Sequence, residues 1–154
     1  MKTFTTHSAE ETTELGRQLA AELKPGAVVL LRGDLGAGKT TLVKGIAEGF
    51  NAAEAEAVTS PTFTLIHEYR GPQVTLYHID LYRIDTQREL DTLALDDLME
   101  PNTILLIEWG EKFDRFARER DVEIAIEHRG GDERQIALMH RATSEIPKRS
   151  EGSL

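Results

Sequence analysis

Residues 33–40 read Gly33-Asp34-Leu35-Gly36-Ala37-Gly38-Lys39-Thr40, a complete G-x-x-x-x-G-K-T loop. An apolar run at residues 27–31 precedes the loop, and a helical pattern at residues 41–47 follows it. This order predicts a buried strand, a turn of backbone amides, and a helix whose N-terminal N–H groups and positive dipole end point at a bound anion. Glycines permit such a turn because they have no Cβ to keep successive amides away from the anion. We therefore expect this loop to bind phosphate groups.

The last residues of the loop indicate a nucleoside triphosphate with a metal ion. Lys39 is expected to reach the β- and γ-phosphates, and the hydroxyl of Thr40 is expected to ligate Mg²⁺. The competing interpretation is a glycine-rich turn with a surface lysine, but the flanking strand and helix favour phosphate binding. The predicted nucleotide contacts in this run are Gly33, Asp34, Leu35, Gly36, Ala37, Gly38, Lys39, Thr40 and Thr41.

Composition describes an ordinary globular protein. The chain has 154 residues, of which 40% are hydrophobic and 29% are charged, so it suits one domain with a full-sized core. No apolar run approaches the roughly 20 residues that span a bilayer, and the N-terminal residues lack the apolar segment of a secretory signal. The chain contains no cysteine. We therefore expect a cytoplasmic protein that does not associate with membranes.

The charge balance argues against direct binding of nucleic acid. The formal net charge is −9, whereas affinity for nucleic acid comes largely from lysine and arginine. The arginines at 115, 118 and 120 alternate with acidic residues, a pattern typical of a solvated helix face.

Hydrophobic periodicity predicts an α/β fold. Helix and strand alternate early in the chain and hairpins dominate later, so we expect a single P-loop NTPase-like domain whose mixed central sheet is flanked by helices. Its sheet should be parallel near the loop and antiparallel at its margins. We place this domain at residues 1–143 and expect the polar segment 144–154 to be a disordered tail. The predicted strands are 27–31, 62–68, 74–79, 103–107, 122–127 and 135–140, and the predicted helical segments are 9–23, 41–47, 86–91, 94–99 and 112–120.

Two acidic residues are candidates for the metal site. Glu108 follows the apolar strand at 104–107, and Asp80 follows the one at 76–79. Ligands of open α/β sheets gather at the carboxyl ends of the strands, and Mg²⁺ needs only one or two carboxylates. Each acid could instead cap the next turn or pair with a basic neighbour.

Other candidates depend on position alone. Thr62, in a Ser-Pro-Thr stretch after the predicted loop helix, lies where P-loop proteins have their switch segments, although a plain turn is equally compatible. Trp109 either fills the core or stacks on a base or a partner. Arg134 is a possible phosphate or ribose contact. The five histidines show no helical ligand pairing and no clear zinc pattern.

Four blocks of sequence, taken together, resemble one protein family. They are Gly-Asp-Leu-Gly-Ala-Gly-Lys-Thr-Thr (33–41), Ser-Pro-Thr-Phe-Thr-Leu (60–65), Tyr-His-Ile-Asp-Leu-Tyr-Arg (77–83) and Leu-Ile-Glu-Trp (106–109). In this order they closely resemble the bacterial TsaE (YjeE) family, a small ATPase of tRNA threonylcarbamoyladenosine biosynthesis. The resemblance covers about residues 6–140.

The resemblance implies a Mg²⁺-dependent ATPase that works with TsaB and TsaD. TsaD transfers the threonylcarbamoyl group to adenosine 37 of tRNA, and the ATPase supports turnover of the complex, so this chain would reach tRNA only indirectly. The implied catalytic roles belong to Lys39 for phosphate, Thr40 and Glu108 for Mg²⁺, and Asp80 for hydrolysis. The resemblance also places Thr62 in the switch-like segment, Trp109 beside the metal acid, and Thr12 and Arg134 near the nucleotide.

Three other function classes share the loop. A small-molecule kinase needs an arginine-bearing lid, and no compact arginine-rich lid segment is evident in the sequence. A GTPase needs an Asn-Lys-x-Asp stretch for guanine, which the chain lacks. A nucleotide-gated binding module, in which hydrolysis is incidental, stays open at this point.

Overall fold

A computed structural model of the chain describes residues 1–34, 36–52 and 66–141. In these residues seven strands form one sheet, in the order β1-β7-β6-β2-β5-β4-β3. The strands are β1 Lys2–Thr6, β2 Val28–Arg32, β3 Ile66–Arg70, β4 Thr75–Asp80, β5 Thr103–Glu108, β6 Val122–Gly130 and β7 Glu133–His140. The α-helices are α1 Ala9–Leu19, α2 Lys39–Gly49, α3 Gln87–Thr92 and α4 Asp114–Glu119, and short 3₁₀ helices occupy Ala20–Glu22, Leu95–Leu98 and Gly110–Lys112.

The sheet has a parallel centre and antiparallel margins, as the sequence predicted. Strand β2 runs parallel to β5 and β6, and β4 runs parallel to β5. The pairs β3–β4, β6–β7 and β1–β7 are antiparallel. Since parallel strands end at the same edge, β2, β4 and β5 bring their carboxyl ends together.

Helices α1 and α2 pack on one face of the sheet and contact each other closely. A Cβ at Gly45 would lie 1.9 Å from the carbonyl oxygen of Thr13, so the approach of the two backbones depends on glycine at this position. The core on this face includes Leu19, Val29, Leu42, Ile46 and Leu106, whereas the core on the opposite face includes Leu30, Ile79, Leu105, Ile107 and Phe116.

The structure corrects two local expectations. The first predicted helix, 9–23, is α-helical only to Leu19, because the next three residues tighten into a 3₁₀ turn. Strand β1 was missed, since residues 1–6 are mostly polar. Its backbone hydrogen bonds come from pairing with β7, and only the side chains of Phe4 and Thr6 are partly or fully buried.

Two predicted segments lie partly or wholly outside the described residues. The predicted strand 62–68 is described only from residue 66, and β3 continues to Arg70. The predicted tail, 144–154, lies outside the described residues. Within the described part of the chain, no helix has the length and apolar character needed to cross a membrane.

Candidate functional site

The glycine-rich loop connects β2 to α2 at the carboxyl edge of the sheet. Gly36 has a φ of 81° and Gly38 a φ of 107°, values that side-chain-bearing residues rarely adopt. The amide of Ala37 donates to the carbonyl of Asp34 at 3.0 Å, which tightens the turn before the helix begins at Lys39. A Cβ at Gly38 would lie 3.3 Å from the side chain of Ile126. The backbone therefore forms a narrow turn that leads into a helix N-terminus.

Lys39 lies inside this turn, with 6% of its surface exposed. Its ammonium donates to the carbonyl of Gly33 at 2.6 Å and lies 3.2 Å from Oε1 of Glu108. The ring of Trp109 is 5.0 Å from the same nitrogen. A buried cation held by one carbonyl, one carboxylate and an aromatic face can exchange these contacts for the oxygens of an anion.

Glu108 is the last residue of β5 and is 5% exposed. While Oε1 faces Lys39, Oε2 accepts a 2.5 Å hydrogen bond from Nε2 of His78. Burial raises the pKa of the Glu108 carboxyl, but the hydrogen bond from His78 and the charge of Lys39 together outweigh it and lower the pKa below the ordinary value of 4.5. The carboxyl is therefore ionised at neutral pH.

Asp80 lies beside Glu108 in the sheet. It ends β4 and is paired in register with Glu108 on β5, so both acids point to the same face. It is 6% exposed, and its Oδ1 accepts a 2.9 Å hydrogen bond from the amide of Tyr82. The structure thus brings together the two predicted strand-end acids.

Trp109 follows directly and takes the left-handed conformation, with a φ of 65°. Its ring packs 5.3 Å from the ring of Tyr82 and covers Lys39. Among the described residues its buried Nε1 has no hydrogen-bond partner. Trp109 thus shields the lysine from solvent, and, as the only tryptophan, it reports on this site by fluorescence.

The β6–β7 hairpin also contacts the glycine-rich loop. The Nε of Arg134 donates to the carbonyl of Ala37 at 2.8 Å. Thr12 on α1 is buried, and its hydroxyl lies 2.7 Å from that of Thr6. A cavity of about 60 Å³ lies between them and is lined by Ser8, Ala9, Thr12, Gly38, Thr41, Asp132 and Arg134.

A larger open groove of about 970 Å³ also reaches the loop, and its lining includes residues of β6, β7 and β1. Gly33, Asp34, Gly36 and Ala37 contribute to it, together with Trp109. The loop therefore borders both a large open groove and a small polar cavity, and the β6–β7 hairpin contributes to the lining of both.

The oxygen donors at the site suit Mg²⁺. Thr40 is the second residue of α2, directly after Lys39, and Glu108 and Asp80 end neighbouring strands. The described residues contain no group of three or more acidic, histidine or cysteine side chains that could hold a metal alone. A site with one or two carboxylates and a hydroxyl matches a cation that completes its octahedron with phosphate oxygens and water.

Most of the predicted site residues converge here. The structure brings Lys39, Asp80, Glu108 and Trp109 to one edge, and it gathers Thr12, Gly38, Thr41 and Arg134 around the small cavity. Two predicted residues, Leu35 and Thr62, lie outside the described residues. What the described residues bind stays a prediction.

Sequence reasoning missed His78. The alternation along β4 carries a usable signal, because His78 precedes Asp80 by two residues and therefore shares its face. Its contact with Glu108, however, comes from the neighbouring strand, and a search for histidine pairs within one helix does not find it.

Comparison with known proteins gives a consistent family. The model of the family described as "Threonylcarbamoyl adenosine biosynthesis protein TsaE" matches residues 6–136. A Bacillus subtilis protein named "tRNA threonylcarbamoyladenosine biosynthesis protein TsaE" is 41% identical over 133 residues, which cover 86% of this chain and 82% of that one. A protein of the same name from Rickettsia conorii is 36% identical over 143 residues, covering 92% and 81%.

A solved structure agrees with the sequence relatives. The crystal structure of YdiB from Bacillus subtilis superposes with a TM-score of 0.71 at 36% identity, covering 94% of this chain and 88% of that one. Together with the loop between β2 and α2, this likeness shows a P-loop NTPase-like α/β fold. The chain belongs to the TsaE family.

Proposed function

We propose that this protein is a Mg²⁺-dependent ATPase of the machinery that makes threonylcarbamoyladenosine at adenosine 37 of tRNA. We further propose that it supports turnover of a TsaB–TsaD-type complex and reaches tRNA only through those partners. Family membership and the names of the relatives support the pathway. One observation carries the chemistry: the buried ammonium of Lys39 bridges the loop carbonyl of Gly33 and the carboxylate of Glu108.

Each residue has a distinct task in this proposal. Lys39 leaves its carbonyl and carboxylate contacts to hold phosphate oxygens, while the loop amides surround the phosphates. Glu108 and the hydroxyl of Thr40 would hold Mg²⁺, with Asp80 beside them. When bound, Mg²⁺ neutralises charge that develops on the phosphates.

Asp80 is suited to act on the attacking water. Its Oδ1 accepts a hydrogen bond from the amide of Tyr82, and this bond fixes the orientation of the carboxylate. The second oxygen, which has no hydrogen-bond partner within the described part of the chain, could orient a water molecule. Trp109 and the Arg134 contact with Ala37 exclude solvent and hold the loop in place.

The acidic charge of the chain fits an indirect route to tRNA. A protein of net charge −9 gains little from phosphate contacts of its own. If its partners bind tRNA through their own surfaces, this chain does not need an RNA-binding surface.

The test is ATP hydrolysis by the purified chain, alone and with a TsaB–TsaD mixture and tRNA. We expect slow hydrolysis alone and faster hydrolysis with the partners, and Lys39→Ala serves as the inactive control. Absence of stimulation, together with transfer of phosphate to a metabolite, would identify a small-molecule kinase instead. Nucleotide-dependent association with partners but no turnover would identify a nucleotide-gated binding module.

A further inference from the structure

His78 lies fully buried beneath the candidate site, with 0% of its surface exposed. It belongs to β4, two residues before Asp80, and points to the same face of the sheet as Asp80 and Glu108. Its neighbours along that face, Leu76 and Leu106, are buried and apolar. A polar ring in this environment needs an explanation, because an apolar side chain could occupy the same space without losing contacts to water.

The ring makes one described hydrogen bond, and that bond goes to the predicted metal acid. Its Nε2 is 2.5 Å from Oε2 of Glu108, whereas its buried Nδ1 has no partner among the described residues. An ionised carboxylate only accepts, so the proton of this bond lies on Nε2. A histidine that served the fold would be expected to satisfy both nitrogens. Within the residues that the structure describes, His78 leaves Nδ1 unpaired and keeps the bond to Glu108.

The two oxygens of Glu108 are thereby distinguished. His78 occupies Oε2 from the interior, and Oε1 faces the P-loop, where it contacts Lys39 at 3.2 Å. A carboxylate at a strand end could otherwise rotate about its terminal torsion, which has broad minima. The hydrogen bond fixes that torsion, so one defined oxygen is presented to the loop.

We propose that His78 is a positioning residue that holds Glu108 by Oε2 and so presents Oε1 to the cation of the nucleotide complex. This inference rests on the proposed function, since it assumes that Glu108 receives Mg²⁺. Groups behind a metal-ligating carboxylate are hydrogen-bonded to it, and their loss typically weakens metal affinity by about 10- to 100-fold.

Two amide substitutions of different reach test the proposal. His78→Gln places an amide nitrogen near the position of Nε2 and should keep the bond to Glu108. His78→Asn carries the same group on a shorter side chain and should lose it. The matched control is His67→Asn, the same substitution at the β3 residue that is paired with His78. The ring of His67 hydrogen-bonds to Tyr69 rather than to Glu108.

The measurement is the affinity of ATPγS by calorimetry, once in excess Mg²⁺ and once in EDTA. We expect His78→Asn to bind ATPγS about tenfold more weakly than the wild type in excess Mg²⁺. Its affinity for ATPγS in EDTA should equal that of the wild type. His78→Gln and His67→Asn should both behave like the wild type. In a Glu108→Gln background, His78→Asn should cause no further loss, because the two residues act through one contact.

The outcomes separate the two proposals. If Mg²⁺ adds nothing to the wild-type affinity, the proposed cofactor is wrong. Two outcomes would overturn the positioning role while Mg²⁺ still strengthens wild-type binding. In the first, His78→Asn binds ATPγS in Mg²⁺ as tightly as the wild type. In the second, the affinity lost in His78→Asn adds to the affinity lost in Glu108→Gln. If both His78 variants fail to fold in circular dichroism melts, the residue serves the fold and the positioning role is likewise overturned.

Discussion

The parallel centre and the antiparallel margin of the sheet contribute to the same site in different ways. At the centre, β4 and β5 deliver Asp80 and Glu108 at adjacent register positions, and β2 leads into the loop that carries Lys39. At the margin, the β6–β7 hairpin contributes Arg134, which reaches Ala37 across 97 positions of sequence. The centre thus supplies the charged groups, and the margin supplies support for the backbone that holds them.

Substitutions at the centre should reduce activity more than substitutions at the margin. Central residues are expected to contact the nucleotide or its cation, where charge develops during hydrolysis. Marginal residues act on the loop or on the fold, so their loss is partly compensated by the remaining contacts.

Removal of the central cation should have the largest effect. Lys39→Ala is expected to lower the ATP hydrolysis rate by about 1000-fold, since a preorganised charge that stabilises the transition state is lost. The measurement is steady-state phosphate release. Lys44→Ala, on the same helix but away from Glu108, is the matched control and should be close to wild type. Undiminished hydrolysis by Lys39→Ala would contradict the assignment of the loop.

Substitution of Asp80, also at the centre, should have the second-largest effect. Asp80→Asn should slow hydrolysis by about 100-fold, because the amide cannot orient or accept a proton from water as the carboxylate does. ATPγS affinity should change only a few-fold, measured by calorimetry. The asparagine keeps an acceptor for the Tyr82 amide, so it separates chemistry from structure. If Asp80→Ala unfolds while Asp80→Asn hydrolyses ATP normally, the acid is structural.

At the margin, substitution of Arg134 should have the largest effect. Arg134→Ala should weaken ATPγS binding by up to about tenfold, because the loop is no longer held at the Ala37 carbonyl and must be ordered when the phosphates bind. The upper limit corresponds to a charge-assisted hydrogen bond worth about 1.5 kcal/mol. Arg129→Ala removes an exposed arginine of the same hairpin and should leave the affinity unchanged. Equal affinities for the two variants would show that the hairpin does not support the loop.

The smallest expected effect lies furthest from the site, at Glu22. Hydrogen bonds from Lys2 and His140 lower the pKa of this partly exposed carboxyl below 4.5. A lowered pKa in the folded state means that the carboxyl adds stability above its unfolded pKa, and that this is lost as the pH falls through the lower folded pKa.

Thermal melts of Glu22→Gln and wild type at pH 7 and pH 3 test this prediction. The variant should melt slightly below the wild type at pH 7, and the gap should narrow at pH 3. Asp97→Asn, a change at an exposed acid, should show no such gap. A gap that persists at low pH would assign the effect to packing rather than charge.

Much of the centre could be predicted from sequence because it follows local rules. The P-loop motif, the strand before it and the helix after it are contiguous, and the acids follow apolar runs directly. Strand β1 could not be predicted, because its polar sequence becomes a strand only through β7. His78 was missed for the same reason, since its partner lies 30 positions away on another strand.

The amino-acid sequence by itself determined the loop, the alternation of helix and strand, and the family, because each depends on contiguous residue types and their spacing. Tertiary structure alone decided which oxygen of Glu108 faces Lys39, what lies behind it, and how Arg134 supports the loop. These contacts join residues distant in the chain. They exist only once the sheet sets the register of its strands, and no local pattern specifies that register.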